Sequence, residues 1–248
     1  MPLLDAFDTA QIAAALLAAF GSAFIRGLTG FGMAIILVPI LALALVPIEA
    51  VLLTNFLSLF IGLSEIRRLV RGAERSAWII AALVAVGAPV GLFALSVTGV
   101  DAARIVIAFI ALSAFGAVLL PRRGALAHGP VTTSGVGLLS GLMTGYAGMP
   151  GPPVVPYYVG RDIPREVAKA SMMLVFTLAS AAGLVSGAAL GVLDWHLPFL
   201  AVLLFPAILL GNWAGDKASG SIEDRVWRLC VGLVLGGAAI AAMAKAFG

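Results

Sequence analysis

Ten apolar segments follow one another along this chain with little between them, and that succession decides what it can fold into. They run over residues 9–25, 32–46, 48–66, 76–97, 104–120, 131–147, 153–159, 166–190, 197–214 and 226–247. Most are long enough to cross ~30 Å of hydrocarbon as helices rising ~1.5 Å per residue. Composition agrees, with 62% of residues hydrophobic and 11% charged, where a soluble domain carries roughly 25% charged. Continuous apolar runs exclude the alternating pattern of an outer-membrane barrel. The expected fold is an all-α integral membrane protein, a polytopic helical bundle without a soluble domain.

The charge and cysteine content narrow the function further. A net charge of +3 and a pI near 9.4 do not point to nucleic acid, because Lys and Arg in such a chain mostly report topology. Cys230 is the single cysteine, so an intramolecular disulfide or a redox pair is excluded. Asp5 and Asp8 stand where a signal peptide would carry basic residues, so the first segment is expected to be a retained span.

Segments 32–46 and 153–159 are too short to cross comfortably, and the basic residues arbitrate. If all ten segments cross with the N-terminus outside, thirteen of the fifteen Lys and Arg fall on the cytoplasmic face, and only Arg104 and Lys245 fall outside. If the short segments turn back, the split becomes seven against eight. The positive-inside rule selects ten: about eight full spans plus two short broken or re-entrant helices. Both termini are then outside, in a bacterial inner membrane.

An internal repeat supports this count. At an offset of 117 residues, Pro39 meets Pro156, Pro47 meets Pro164, Glu49 meets Glu166, Trp78 meets Trp195 and Pro89 meets Pro206. Residues 1–125 and 126–248 then form two repeats. Five segments per repeat is odd, so the halves lie inverted, the plan of many secondary transporters with a midplane substrate site.

Two glycine-rich breaks occupy matching places in the repeats: Arg26-Gly27-Leu28-Thr29-Gly30-Phe31-Gly32 and the stretch from Thr144 to Pro153. Each precedes one of the short segments, so each is expected to sink into the membrane, one from either face. Irregular backbone at that depth is tolerated only where protein buries it or a wet cavity meets it. The helix N-termini after the breaks would point inward, where free N–H groups and the helix dipole favour anions.

Gly27-x-x-Gly30-x-Gly32 leading to Pro39, Gly145-x-x-Gly148-x-x-Gly151 leading to Pro156, and the duplicated Pro-x7-Pro-x-Glu resemble the TauE/SafE family of sulfite exporters over essentially the whole chain. The resemblance implies a small membrane transporter for sulfite or organosulfonates, working in the export direction. The chain departs from the family's usual adjacent glycines: Met33 and Ala34 follow Gly32, and Pro150, Pro152 and Pro153 crowd the second break.

Arg26 is the leading candidate contact, because an ionisable group at membrane depth is a functional hypothesis by default. Its guanidinium can hold two oxygens of a sulfur oxyanion; the competing reading is a snorkelling cytoplasmic anchor. The other Lys and Arg are expected in loops or at segment ends. Thr29, Gly30, Phe31, Gly32, Tyr146, Gly148, Met149 and Gly151 would supply N–H groups and small contacts, or else close packing. Thr54 and Asn55 interrupt an apolar segment, and Ser171 takes the Thr54 position in the second repeat; they are pathway residues or interhelical ties. Glu49 and Glu166 are expected to complement helix dipoles, and Glu65 to pair with Arg68. Neither His128 nor His196 has a Cys, Asp or Glu at metal-ligand spacing, so no metal site and no cofactor are expected.

Catalysis has little support. A rhomboid-type protease needs Gly-x-Ser-Gly, and Leu138-Leu139 precede Ser140-Gly141. A passive anion channel using the same breaks is the main rival to a transporter. The expected partners are a small anion and membrane lipid, not nucleic acid, with proton coupling and a homo-oligomer left open.

Overall fold

The computed structural model describes residues 9–119 and 129–218. Among them are ten helices and no strand: α1 (Thr9–Thr29), α2 (Met33–Ala44), α3 (Pro47–Ser64), α4 (Ile66–Gly72), α5 (Arg75–Val97), α6 (Val100–Leu119), α7 (Pro130–Ala147), α8 (Gly151–Val159), α9 (Arg165–Ala189) and α10 (His196–Ala218). By length and composition, α3, α5, α9 and α10 are long and apolar enough to cross a membrane, and α2 is a shorter apolar helix. The tenth apolar segment, 226–247, lies outside the described residues, as does His128.

Two boundaries differ from expectation. The first helix does not end at Arg26 but runs on to Thr29, and the break falls at Gly30–Gly32. Thr29 explains this. Its hydroxyl lies 2.9 Å from the Ile25 carbonyl oxygen and accepts the Phe31 N–H at 3.2 Å, so one side chain serves the last turn and the start of the break. The second difference is α4, a short basic helix carrying Arg67, Arg68 and Arg71, where the sequence reading had a loop.

Both breaks use left-handed glycines. Gly30 and Gly32 have φ of 82° and 97°, and Gly148 has 66°. At Gly148, α7 ends in a left-handed glycine cap: the Gly148 N–H reaches the Thr144 carbonyl at 2.9 Å and the Met149 N–H reaches the Met143 carbonyl at 3.2 Å.

Two close helix pairs dominate the packing. α1 runs parallel to α10, with Phe20 against Gly211 and Phe24 against Gly215; α5 runs parallel to α7, with Gly87 against Gly141 and Gly145 against Ala88. α3 packs on α9 at the centre, α5 also packs on α9, and α10 on α3. A Cβ at Gly145 would overlap the Ala88 carbonyl oxygen and press the Leu92 backbone. Gly145→Ala is therefore expected to destabilise the chain by ~1–3 kcal/mol, the cost of overpacking, read as a lower thermal unfolding midpoint of the purified protein.

The exterior of these pairs is apolar. Val86, Val90, Phe93 and Val97 on α5, and Phe199, Val202, Leu210 and Trp213 on α10, are all exposed. Water would not tolerate such stripes without association; lipid does. Polar side chains gather inside and at the two ends instead.

Candidate functional site

The two breaks, which are more than a hundred residues apart in sequence, meet. Phe31, Gly32, Met33, Ala34 and Ile35 from the first and Gly148, Met149, Pro150 and Gly151 from the second line one cavity, completed by Ser58 of α3 and by Met173, Phe176, Thr177 and Ser180 of α9. Arg26 forms part of its wall. The cavity is narrow: ~40 Å³ is open to the centres of water-sized molecules. One water needs ~10–15 Å³ on that measure, so the space suits a few waters or a small ion.

The N-termini of α2 and α8 and the C-terminus of α7 all meet this cavity. Neither α2 nor α8 has a side-chain cap at its N-terminus. The first N–H groups of a helix have no partner within it, and those of α2, on Met33, Ala34 and Ile35, belong to residues that line the space. α8 is the poorer donor: Gly151 has an N–H, but Pro152 and Pro153 have none. Thr177 and Ser180 donate back to the Met173 and Phe176 carbonyls at 2.8 and 2.9 Å, so their hydroxyls add polarity without being orphans.

Arg26 is buried, 8% exposed, and is not free. Its Nη1 donates to Asn212 Oδ1 at 2.7 Å and lies 3.5 Å from Glu65 Oε1. Glu65 also faces Arg68 at 3.8 Å, so the expected pair is present but Glu65 is shared. A second, larger cavity of ~250 Å³ opens on the far side of Arg26, bounded by Glu65, Arg68, Lys169, Asn212 and Asp216. Arg26 and Met173 line both cavities. Arg26 thus stands between a charged vestibule and the narrow cavity, with its guanidinium held by two residues of the vestibule wall, Asn212 and Glu65.

Not every residue singled out from the sequence reaches the cavity. Arg26, Phe31, Gly32, Gly148, Met149 and Gly151 line it. Thr29 bridges the turn behind it, and Gly30 packs on the aliphatic stem of Lys169, which a Cβ would approach to 3.0 Å. The Tyr146 hydroxyl is 3.4 Å from Thr98 Oγ1, outside the lining. Ser171 lies elsewhere: its Oγ accepts the Glu74 N–H at 2.8 Å and ties α9 to the start of α5. Thr54 and Asn55 are fully buried but do not line the cavity.

The α9 contribution was missed. Met173, Phe176, Thr177 and Ser180 recur at helical spacing on one face, and that stripe was the available signal. A further correction concerns buried cations. Arg104 is as buried as Arg26, 9% exposed; its Nε donates to the Ala42 carbonyl at 2.7 Å, and its Nη1 to Asp101 at 3.2 Å. It serves the C-terminal end of α2 and does not line the cavity.

His196 also departs from expectation. Its Nδ1 is 2.8 Å from Asp194 Oδ1 and its Nε2 is 3.7 Å from Glu49 Oε1. The three offer ligand atoms within 4.8 Å of one another, so carboxylates do stand at ligand distance from this histidine; folding supplies Glu49 from α3. Hydrogen bonds from the His196 backbone N–H and then its ring hold the Asp194 carboxyl below its ordinary range. These contacts are a sufficient account of an exposed loop that starts α10. Glu49 and Glu166 occupy the first turns of α3 and α9, as expected of dipole partners.

The family described as sulfite exporter TauE/SafE matches residues 15–242, nearly the whole chain. No curated protein and no solved structure matches it.

Proposed function

The chain belongs to the sulfite exporter TauE/SafE family, and on that premise we propose that it is a secondary transporter that exports small sulfur-containing anions, sulfite or organosulfonates, by alternating access at the cavity between its two breaks. One observation carries the proposal: both glycine breaks line the same small space, with an uncapped helix N-terminus facing it and Arg26 in its wall. A few tetrahedrally arranged heavy atoms with negative charge match that space in size and sign. Family membership supports a multi-pass membrane transporter of sulfur anions; the binding residues and the cycle are our inference.

The inverted repeat is the architecture of this proposal. Under the 117-residue offset α1 corresponds to α7, α2 to α8, α3 to α9 and α5 to α10. Exchanging partners converts the α1–α10 pair into α7–α5, and α5–α9 into α10–α3, while α3–α9 maps onto itself. Such exchange is what a two-fold relation between halves requires. It supports residues 1–125 and 126–248 as repeats, about eight full spans with α2 and α8 as short elements, and both termini outside. The Arg161–Glu74 pair at 2.6 Å joins the two loops that this topology places together on the cytoplasmic face.

Alternating access then means opening the partition at Arg26. The vestibule admits the anion, and Arg26 exchanges Glu65 for a sulfur oxyanion. The α2 N–H groups receive the anion before the cavity opens to the other side. Reconstituted protein in proteoliposomes tests this reading. Sulfite should accumulate against its own gradient when a proton gradient is imposed. Purely downhill flux would make the protein a channel, and no sulfite or sulfonate flux would overturn the assignment.

A further inference from the structure

The charged vestibule and the narrow cavity share one face of α9. Lys169 and Met173 bound the vestibule, and Met173, Phe176, Thr177 and Ser180 bound the narrow cavity. These positions follow one another at intervals of three and four, which places them on a single helix face. The stripe therefore runs from the vestibule into the cavity, with Lys169 at one end and Met173 where the two spaces join. Arg26 of α1 stands at the same junction, since it also lines both.

Lys169 and Arg26 are held differently. Lys169 Nζ lies 3.5 Å from Asp216 Oδ1, and the Asp216 side chain is 61% exposed, so water screens the pair and weakens it. The Lys169 stem rests on the first break, where a Cβ at Gly30 would stand 3.0 Å from its Cγ. Arg26 is buried and bound to Asn212 and Glu65. The two spaces also differ in the water they hold. At ~250 Å³ the vestibule has room for on the order of twenty waters, and at ~40 Å³ the narrow cavity takes a few. An anion moving from one to the other sheds most of its hydration. An ammonium is a compact, strongly hydrated point charge on a flexible stem, whereas a guanidinium is planar and weakly hydrated. The first suits an anion that still carries water, and the second an anion that has lost it.

We propose that Lys169 is the capture site of the vestibule: its ammonium exchanges Asp216 for a hydrated sulfur oxyanion and hands it along the α9 stripe to Arg26. This role rests on the transport reading and adds to it the residue that meets the substrate first. Asp216 is the competitor that occupies Lys169 when no anion is present. Among the described residues the vestibule lining sets three cations, Arg26, Arg68 and Lys169, against two carboxylates, Glu65 and Asp216, so an entering anion meets net positive charge. A plain tie between α9 and α10 differs in its consequences. Losing either partner of a tie acts in the same direction, whereas losing a capturing charge and losing its competitor act in opposite directions.

The test uses the full-length chain with Cys230→Ser and Met173→Cys, which puts a thiol at the junction. The probes are 2-sulfonatoethyl methanethiosulfonate, itself a sulfonate anion, and its cationic 2-trimethylammonioethyl analogue. The quantity read is the ratio of their modification rates, each taken relative to a free thiol. Lys169→Gln should lower the anion-to-cation ratio about tenfold, the lower end of what a charge-lined cleft adds to an encounter rate. Lys169→Arg, which keeps the charge, should restore it, and Asp216→Asn should raise it. Lys217→Gln is the control for charge alone, because Lys217 follows Asp216 but sits over the Trp213 ring and outside the vestibule lining; it should leave the ratio unchanged. Gel filtration reports whether each variant is folded. An unchanged ratio in folded Lys169→Gln, the same direction of change in Lys169→Gln and Asp216→Asn, an equal drop in Lys217→Gln, or no modification of folded Met173→Cys would overturn the capture site. Sulfite flux by the wild type is read separately, so loss of the sulfite assignment and loss of this site give different results.

Discussion

Arg26→Ala is expected to weaken sulfite binding about ten- to hundredfold, the largest effect of any single charge removal in the chain. Loss of one charge-assisted contact costs ~1.5–3 kcal/mol, and among the described residues Arg26 is the one cationic residue that lines the narrow cavity. Arg26→Lys should restore only part of the affinity, because an ammonium lacks the planar fork that grips two oxygens. Glu65 sharpens the expectation. It lies 3.5 Å from Arg26 and 3.8 Å from Arg68, so it competes with the anion for the guanidinium. Glu65→Gln should therefore bind sulfite more tightly and release it more slowly. Calorimetry at fixed salt on the four proteins checks this series. Equal affinity in all of them would return Arg26 to a structural tie between α1, α3 and α10.

Gly148→Leu should abolish transport while the protein remains in the membrane. Two penalties coincide there. Gly148 has φ of 66°, a conformation that costs an ordinary residue ~1–2 kcal/mol. A Cβ would also stand 3.3 Å from Val38 Cγ2, and the remaining leucine atoms must enter the cavity or displace α2. The α5–α7 contact that anchors this part of the bundle lies earlier on α7, at Gly137, Gly141 and Gly145, and is untouched. Membrane yield by immunoblot beside proteoliposome flux gives the measurement. Wild-type flux from Gly148→Leu would remove the break from the transport path.

What could be read from the sequence was the punctuation. Glycine and proline have backbone consequences that do not depend on neighbours, so Gly32, Gly148, Pro39 and Pro156 located the breaks and the short helices directly. For Arg26 the sequence left two readings, a contact at membrane depth and a snorkelling anchor, and the fold buries the side chain. Its partners were not legible. Asn212 lies 186 residues further on, and nothing local to either residue announces the bond. The α9 face was hidden because Thr177 and Ser180 are small and ordinary in an apolar helix; their role comes from facing the breaks. Ser171 shows where repeat logic fails. It matches Thr54 by offset, yet α9 spans 25 residues against 18 in α3, and Ser171 is spent on the Glu74 N–H, near α4, whose counterpart is absent from the described second half.

The central claim is that one anion touches elements from both halves at once. Protection of two engineered cysteines tests it most directly: Ala34→Cys on α2 and Ser180→Cys on α9, each alone in the Cys230→Ser chain, labelled with N-ethylmaleimide in the presence of increasing methanesulfonate. Both positions line the cavity. The account predicts that both lose reactivity with the same half-maximal methanesulfonate concentration, and that Arg26→Ala shifts both midpoints upward together. Protection of neither cysteine, or of one without the other, would contradict a shared site between the breaks.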